Sequence, residues 1–293
     1  MLQVPPVELL SALSAVDPSI LEELRRQLSD GDFSGEVRDL PGRPDELALE
    51  LLPLAKAFSL APVSGFSVGA VAVAASGRLY LGANLEFAGA PLGTTLHAEQ
   101  SAVVNAWIHG EQELREIVVS ELPCGHCRQF LCELTGAPQL RITTGGRTTP
   151  LAELLPAAFG EALKARPGGL LDGRPVDLES VREIETSLGQ RALNAAQKSH
   201  TPYTRGAEGF VIEGDNGHFY VGRAAESAAF NPSIPAVVCA LNQRNLSSGR
   251  SYTICACAHA RVVTALSCNQ KLSADLMARI SGAPIETVLL EES

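Results

Sequence analysis

An internal repeat constrains the fold of this 293-residue chain more than any other feature of its sequence. Five residues of the first half recur at a constant offset of 140 positions, so that Pro62, Gly77, Tyr80, Gly82 and Glu86 correspond to Pro202, Gly217, Tyr220, Gly222 and Glu226. Five identities at one offset, with no gap needed, indicate two copies of one domain. We therefore expect two similar folds joined in a single chain.

The hydrophobic pattern of the first copy predicts its secondary structure. The predicted helices span 43–58, 98–108 and 124–134, and the predicted strands span 66–74, 78–81, 116–120 and 140–143. The first two strands are joined at Ser76-Gly77, which is a hairpin signal. This order of elements indicates a mixed sheet covered by helices.

Composition changes along the chain divide it into four predicted parts. Pro and Asp residues before two apolar patterns indicate short helices, which form a small N-terminal helical arm over 1–42. The first copy is predicted to span 43–160 and the second 189–293, with a connector containing Gly and Pro at 161–188.

Composition also narrows the class of protein. No apolar run reaches the roughly 18 residues of a membrane span, and the N-terminus MLQVPPVELL lacks the basic start of a secretory signal. Seven cysteines in such a chain are expected to be thiols, metal ligands or buried apolar groups rather than disulfides. A formal net charge of −10 argues against binding nucleic acid through Lys and Arg. We expect a cytoplasmic or otherwise intracellular soluble protein, with neither a membrane nor a nucleic acid as partner.

Two short motifs of the first copy contain the ligand types that zinc prefers. His97 precedes Glu99 by two residues, and Cys124 and Cys127 lie one turn apart at the start of a predicted helix. The two sulfurs then face one point, and the helix N-terminus favours their thiolate forms. Three protein ligands leave one tetrahedral position for water, which is the arrangement of a catalytic zinc site. A closed structural site would need a fourth ligand, for which His126 is the only nearby candidate.

Other side chains near the predicted ligands have candidate roles. Glu99 can accept a proton from a water activated by zinc and pass it to a substrate, although a carboxylate that only favours the helix N-terminus would stand in the same place. Arg128 either hydrogen-bonds the thiolates or lies on the surface. Cys132 falls on an apolar helix face and is expected in the core.

The second copy has lost these motifs. The constant offset places Val237 opposite His97 and Cys239 opposite Glu99, and no Pro-Cys-x-x-Cys follows. Residues 255–259 contain two cysteines and a histidine in a strand-like alternation. They are interpreted as buried structural groups, and a metal site on one strand face is the alternative. The second copy is predicted to be a non-catalytic scaffold.

These motifs resemble those of the cytidine deaminases of nucleoside salvage, in the long, duplicated, homodimeric class. His-x-Glu followed by Pro-Cys-x-x-Cys is the signature of zinc deaminases. The resemblance covers nearly the whole chain and rests on SGFSVGA, GANLEF, HAEQ, PCGHCRQF, LLPAAFG and ESAAFNPSIP. It implies an α/β fold, a cytidine-deaminase-like three-layer α-β-α sandwich with a mixed sheet, present as a catalytic and a degenerate copy after the helical arm. It also implies His97, Cys124 and Cys127 as ligands of one Zn²⁺ per chain, and Glu99 as the proton shuttle.

The resemblance further implies a set of substrate contacts. Asn84 and Glu86, which the strand pattern places on one face, would hold the ribose 3′-hydroxyl. The other implied contacts are Phe66 against the pyrimidine, the backbone of Ala98 at the ring, the carbonyl of Leu122 at the leaving ammonia, and Phe159 from the other subunit of a homodimer. Residues 120–122 depart from the family pattern, in which smaller residues are expected.

The implied reaction is hydrolytic deamination of free cytidine and 2′-deoxycytidine to the uracil nucleosides and ammonia, in pyrimidine salvage. Zinc would activate water for attack at C4 of the ring, while Glu99 protonates N3 and then the departing amino group. A polynucleotide deaminase is the first alternative; it predicts a basic groove and aromatic stacking sites, whereas this chain is acidic with 5% aromatic residues. A zinc-stabilised module without catalysis is the second, and it predicts a fourth protein ligand.

Overall fold

The computed structural model describes residues 6–13, 16–160 and 168–292, which form two compact units. The first unit contains the described residues up to Ala158 together with Arg244–Ser251, and the second contains the rest. Residues 161–167 of the predicted connector, and residues 1–5 and 14–15 of the predicted arm, lie outside the described ranges. Within those ranges, no helix has the length and apolar character needed to cross a membrane.

The first unit is built on a six-stranded mixed sheet. Its strands are β1 (Glu36–Val37), β2 (Gly69–Ala74), β3 (Leu79–Ala83), β4 (Leu114–Val119), β5 (Arg141–Thr144) and β6 (Arg147–Pro150). Its helices are α1 (Pro18–Ser29), α2 (Pro44–Glu50), α3 (Leu52–Ala57), α4 (Ala98–Ile108), α5 (Gly125–Leu131) and α6 (Leu151–Leu154). The strand order is β1-β3-β2-β4-β5-β6, in which β4 and β5 are parallel and the other neighbours are antiparallel.

Two glycines show that helices cover both faces of this sheet. Gly69 of β2 pairs with Ala83, the residue that follows Gly82 on β3, so the two glycines face opposite sides. A Cβ at Gly69 would lie 2.4 Å from the backbone nitrogen of Lys56 in α3, and one at Gly82 would lie 2.3 Å from that of Ala102 in α4. The two helices therefore pack on opposite faces, which gives the predicted three layers.

The apolar core of this unit lies where the N-terminal helices cover β2 and β3. All six residues of β2 are buried, as expected for a strand with a helix on each side. The main core cluster includes buried side chains from α1, α2, α3, β2 and β3, among them Leu24, Leu47, Leu54, Val71 and Leu81. The predicted arm thus contributes α1 to the core and β1 to the sheet edge.

The predicted helix over 43–58 is two helices. α2 ends at Glu50, and α3 begins at Leu52. Pro53 has no backbone N–H to donate to the carbonyl of Leu49, and its ring crowds that carbonyl, so a continuous helix is disfavoured here. The flanking leucines continue the apolar pattern across the break, which is why periodicity alone predicts one helix.

The second unit repeats the inner part of the first. Its elements are β7 (Leu178–Ser180), α7 (Ser187–Ala196), β8 (Glu208–Gly214), β9 (Phe219–Arg223), α8 (Ala236–Leu246, which ends in the first unit), β10 (Ile254–Val262), α9 (Gln270–Ile280) and β11 (Ile285–Glu292). The sheet order is β7-β11-β10-β8-β9. Its inner strands β9-β8-β10-β11 have the same order and directions as β3-β2-β4-β5. The duplicated α/β fold is therefore confirmed.

The two copies are not related by one constant offset, which corrects the prediction from sequence. In the first unit Leu85 bridges to Leu96, and in the second Ala225 bridges to Ile234. The first members of these bridges differ by 140 positions and the second members by 138. The loop before α8 is therefore two residues shorter than the loop before α4.

The shorter loop changes which residues stand opposite the predicted ligands. Pro235, which precedes α8, corresponds to His97, which precedes α4. Val237 then corresponds to Glu99, whereas the ungapped offset assigned Cys239 to that position and Val237 to the histidine. The second copy therefore still lacks a histidine ligand and a glutamate at these two positions, because the side chains of proline and valine can neither bind a metal nor transfer a proton.

Candidate metal centre and active site

The predicted ligands lie at two helix N-termini of the first unit. His97 is the residue before α4, and Cys124 is the residue before α5, both with extended backbone conformations. The backbone N–H of His97 donates to Oε1 of Gln100 at 3.2 Å, which fixes the first turn of α4. Both helices were predicted to begin at these residues, and both predictions are confirmed.

The three candidate ligand atoms have the spacing of a tetrahedral site. Nδ1 of His97 lies 3.5 Å from Sγ of Cys124, and that sulfur lies 3.7 Å from Sγ of Cys127. Zn–S bonds of about 2.3 Å and Zn–N bonds of about 2.0 Å would separate nitrogen and sulfur by about 3.5 Å, and two sulfurs by about 3.8 Å. The donor set therefore fits zinc. Across the described part of the chain, no other three His, Cys, Asp or Glu side chains form such a group.

The electrostatics of the cluster favour a cation. Contacts with Cys127 and His97 lower the pKa of the Cys124 thiol to about 3. Contact with Cys124 and burial raise the pKa of Cys127. The same contact with Cys124 raises the pKa of His97. A metal ion bound in place of the protons that these three side chains share would balance the negative charge of the thiolates.

Glu99 lies on the first turn of α4 beside this cluster. Its side chain is buried, with only 5% of the residue exposed, and burial raises its pKa above the ordinary value. A raised pKa makes a carboxyl group hold its proton more readily, which suits a group that has to accept and then donate a proton. Its position and its environment match the role expected for a proton shuttle.

A pocket of about 280 Å³ opens beside the cluster. It is lined by Ser64, Phe66, Val68, Asn84, Glu86, Thr95, His97, Ala98, Glu99, Glu121, Leu122 and Cys124. Most of the residues predicted from sequence are thus brought together, with Cys127 fully buried next to Cys124. Ser64, Val68, Thr95 and Glu121 were missed. Ser64 and Val68 lie in the SGFSVGA motif, Glu121 lies in the segment that departs from the family pattern, and Thr95 lies two residues before His97.

Asn84 is held in place by the loop that precedes β2. Its Oδ1 accepts from Oγ of Ser59 at 2.6 Å and from the N–H of Val68 at 2.9 Å, and its Nδ2 donates to the carbonyl of Phe66 at 2.9 Å. These bonds use one of the two N–H groups of the amide, and the second N–H remains available. The side chain is therefore fixed at the pocket wall with a donor to spare.

Glu86 anchors the same loop through its carboxylate. Oε2 accepts from the N–H groups of Val63 and Ser64, each at 2.9 Å, and Oε1 accepts from Oγ of Ser64. In the second copy Glu226 makes the same set of bonds with Tyr203 and Thr204. The repeated glutamate therefore has a structural role in both copies, whatever it does for a ligand in the first.

The four remaining predicted contacts differ in exposure. Ala98 is buried at the start of α4, whereas Phe66 and Leu122 are 55% and 65% exposed at the edge of the pocket. Phe159 belongs to the second unit and is 58% exposed. Such exposure of two aromatic rings is typical of side chains that meet a ligand or a partner.

Arg128 fits neither role predicted for it. Its guanidinium donates to the carbonyls of Pro123 and Leu154, at 2.8 and 3.0 Å, and so links the residues before α5 to the end of α6. His126 stacks on His97 with ring centroids 4.7 Å apart. Cys132 is half-buried rather than fully in the core.

The thiols of the second copy do not gather into a site. Cys257 and His259 are buried on β10, whereas Cys255 is exposed beside a register irregularity. Burial raises the pKa of Cys257 to about 12, so this thiol stays protonated. Nε2 of His259 lies 3.8 Å from Glu208. The interpretation as structural groups holds for Cys257, and the exposed Cys255 departs from it.

Comparisons with known proteins agree with this site. Residues 44–142 and 151–266 each match a family model described as the cytidine and deoxycytidylate deaminase zinc-binding region. A cytidine deaminase of Aliivibrio fischeri is 43% identical over 235 residues, covering 80% of this chain and 78% of the relative. One of Yersinia pestis is 46% identical over 213 residues, 72% of each chain.

Solved structures include similar proteins as well. The crystal structure of a cytidine deaminase from Burkholderia pseudomallei matches with 34% identity and a TM-score of 0.36, covering 39% of this chain and 98% of that one. The two family matches fall on the two copies of the fold, and among the residues that the structure describes the candidate metal-ligand cluster lies in the first copy. This chain therefore belongs to the zinc-binding cytidine and deoxycytidylate deaminase family, in the form that contains the deaminase domain twice.

Proposed function

We propose that the protein deaminates free cytidine and 2′-deoxycytidine by hydrolysis, giving the uracil nucleoside and ammonia in pyrimidine salvage. One observation carries the proposal: three ligand atoms with tetrahedral spacing lie beside the buried carboxyl group of Glu99. Membership of the family supports the same reaction, because the relatives from Aliivibrio and Yersinia are named cytidine deaminases.

The metal would be held by His97, Cys124 and Cys127, one Zn²⁺ per chain. Bound Zn²⁺ supplies Lewis acidity, which lowers the pKa of a coordinated water to about 7. Glu99 takes one proton from the water and delivers it to N3 of the ring. The water oxygen bonds to C4 as N3 takes up that proton; Glu99 then transfers the second proton from this oxygen to the amino group, the C4–N bond breaks and ammonia leaves.

The walls of the pocket would hold the rest of the nucleoside. Asn84 has a spare N–H and the oxygens of Glu86 have unused lone pairs, which together suit the ribose 3′-hydroxyl. Phe66 would pack against the pyrimidine, the backbone of Ala98 would contact the ring, and the carbonyl of Leu122 would accept from the leaving ammonia.

A homodimer would complete each site. Phe159 is a large apolar side chain exposed on the described chain, and a partner's Phe159 over the pocket would exclude water from the metal centre. In this proposal residues 1–42 form the arm, 43–160 the catalytic domain, 161–188 the connector and 189–293 the degenerate domain.

The test is the loss of cytidine absorbance after addition of the pure protein. We expect rapid conversion of cytidine and 2′-deoxycytidine, and no change in a cytosine-containing single-stranded oligonucleotide assayed in parallel. No described Lys or Arg lines the pocket, so a polynucleotide backbone has no cationic partner there. Turnover of the oligonucleotide but not of the nucleosides would overturn the proposal in favour of a polynucleotide deaminase.

A further inference from the structure

We propose that Asn245, a residue of the degenerate second copy, is a positioning residue for the active site of its own chain, because it fixes the segment that holds Asn84. The inference rests on the proposed function, in which Asn84 contacts the ribose 3′-hydroxyl. It goes further in giving the second copy a part in that contact. Asn245 does not line the pocket, so it acts through the residues that lie between.

The end of α8 and the turn after it are embedded in the first unit, although they follow from the second copy in sequence. Residues Arg244–Ser251 belong to the first unit. The N–H of Ser248 donates to the carbonyl of Phe33 at 3.0 Å. A Cβ added at Gly35 would lie 2.9 Å from the Cβ of Leu246, so the two chain segments are in close contact. The second copy thus extends a short segment into the unit that carries the metal ligands.

Two side chains of this segment meet Phe58, the residue that ends α3. Nδ2 of Asn245 donates to the carbonyl of Phe58 at 2.9 Å, and both residues are buried. The guanidinium carbon of Arg250 lies 5.1 Å from the centroid of the Phe58 ring. The last carbonyls of a helix have no partner within the helix, and an unpaired carbonyl is costly when buried. The amide of Asn245 therefore holds the end of α3 at a defined place.

The two residues after Phe58 hold Asn84. Oγ of Ser59 donates to Oδ1 of Asn84 at 2.6 Å, and the N–H of Leu60 donates to the carbonyl of Asn84 at 3.0 Å. The carbonyl of Phe58 and the nitrogen of Ser59 belong to one planar peptide unit, so a shift of that carbonyl also moves Ser59. Hydrogen bonds and one peptide unit thus connect Asn245 to Asn84.

A positioning role differs from a purely structural one in the substrates that it affects. Loss of a structural residue would weaken the fold and impair every substrate alike. Loss of a residue that positions Asn84 should impair a substrate only through the hydroxyl that Asn84 contacts. Cytidine and 3′-deoxycytidine differ in that hydroxyl alone, so the ratio of their kcat/KM values, called the 3′-selectivity here, isolates this contact.

The experiment measures the 3′-selectivity of the full-length zinc enzyme. Asn245→Leu keeps a branched side chain but removes the donor, and it should lower the 3′-selectivity about fivefold, the usual effect of one hydrogen bond. The KM for cytidine should rise while kcat changes little, because the metal ligands and Glu99 are not part of this connection. In an Asn84→Ala background the same substitution should change the 3′-selectivity by less than about twofold, since the residue through which it acts is gone.

Ser248→Ala is the matched control. Ser248 lies in the same segment, and its hydroxyl also donates to a backbone carbonyl of the first unit, that of Gly31. This variant should keep the 3′-selectivity within about twofold of the wild type. Asn245→Ser, with a shorter side chain, repeats the main test. Fluorescence of Trp107 during urea unfolding shows whether each variant is folded.

Unchanged 3′-selectivity in a folded Asn245 variant would overturn this inference alone. An equal loss of 3′-selectivity in the Asn84→Ala background would do the same, because Asn245 would then act by another route. Failure of both Asn245 variants to fold would also overturn it, since Asn245 would be needed for the fold itself. A wild type that deaminates both nucleosides equally would remove the hydroxyl contact on which the inference rests. A wild type without cytidine turnover would overturn the proposed function and this inference together.

Discussion

Glu86 and Glu226 make the same hydrogen bonds in two copies of the fold that differ in chemistry. Each carboxylate accepts from two backbone N–H groups and one hydroxyl of the loop before the first strand of its hairpin. These bonds tie the loop to the glutamate that follows the hairpin in each copy. The binding role proposed for Glu86 is therefore additional to a structural role that both copies share.

Glutamine at the two positions should separate the roles. Glu226→Gln should speed amide exchange at Tyr203 and Thr204 about tenfold, because neutral amides form weaker bonds, and leave cytidine turnover unchanged. Glu86→Gln should speed exchange at Val63 and Ser64 similarly and also raise the KM for cytidine. Hydrogen–deuterium exchange with mass spectrometry and steady-state kinetics check both. An unchanged KM in Glu86→Gln would contradict its role at the ribose.

Glu99 is buried, and its pKa is raised by that burial, directly beside the three candidate metal ligands. Glu99→Ala should therefore retain zinc and lose on the order of 10² to 10⁴ in kcat, as expected when a general acid and base is removed. Metal analysis and cytidine turnover on the same sample provide the measurement. Loss of zinc together with activity would instead make Glu99 a ligand or a structural residue.

At the scale of helices and strands, the position of the active site depends on close contact between α4 and the sheet. Gly82 allows this contact, since a Cβ there would lie 2.3 Å from the nitrogen of Ala102 and 2.5 Å from the carbonyl oxygen of Ala98. Gly222 has the same relation to α8 in the second unit, with 2.0 Å to the oxygen of Ala236. Backbone atoms cannot move aside as the end of a flexible side chain can. The helix would therefore have to shift if either glycine were replaced by a residue with a side chain.

Gly82→Ala should destabilise the first unit by about 1 to 3 kcal/mol, the usual cost of overpacking, and should lower kcat because α4 carries Glu99. Trp107 is the single tryptophan and is buried in α4, so its fluorescence during urea unfolding reports on this unit. Gly31→Ala is the control, with open space at the Cβ position and no left-handed backbone. Equal urea midpoints for the two variants would contradict the packing account.

Long elements with strong local patterns were predictable from sequence. α4 spans the predicted residues 98–108, because its apolar run begins after a residue that caps the helix. β1 and β6 were not predicted, since one has two residues and the other is a mostly exposed polar edge strand. The deletion of two residues before α8 was also missed, because the identities that define the repeat all precede the gap.

The residues of the candidate site likewise divide into those that the sequence reveals and those that only the fold reveals. His97, Glu99, Cys124 and Cys127 were found because their chemistry depends on residue type and on spacing within two short segments. Val68 lies in the SGFSVGA motif and Thr95 lies two residues before His97, but neither was assigned a role, because only the fold shows that they line the pocket. Residue type alone does not distinguish them from ordinary apolar or loop positions.

At the scale of the whole molecule, the proposed dimer makes each active site depend on two chains. Glu99→Ala and Phe159→Ala homodimers should each be impaired, one in proton transfer and the other in closure of the pocket. When their subunits reassort at random, about a quarter of all sites should combine an intact Glu99 with an intact Phe159. Activity at low substrate should then exceed the mean of the two parents, as measured after mixing.

Mass spectrometry of the intact dimers supplies the control, because it shows whether mixed dimers have formed. Verified mixing without a rise in activity would mean that Phe159 acts within its own chain or has no part in the site.

We expect the chain to bind one zinc ion, in the first copy of the duplicated fold. The measurement is zinc content per chain in the wild type, Cys124→Ala and Cys257→Ala. We expect one zinc in the wild type and in Cys257→Ala, and none in Cys124→Ala, because Cys124 lies in the ligand cluster and Cys257 is a buried thiol of the second copy. Two zinc ions in the wild type, or one retained by Cys124→Ala, would contradict the account.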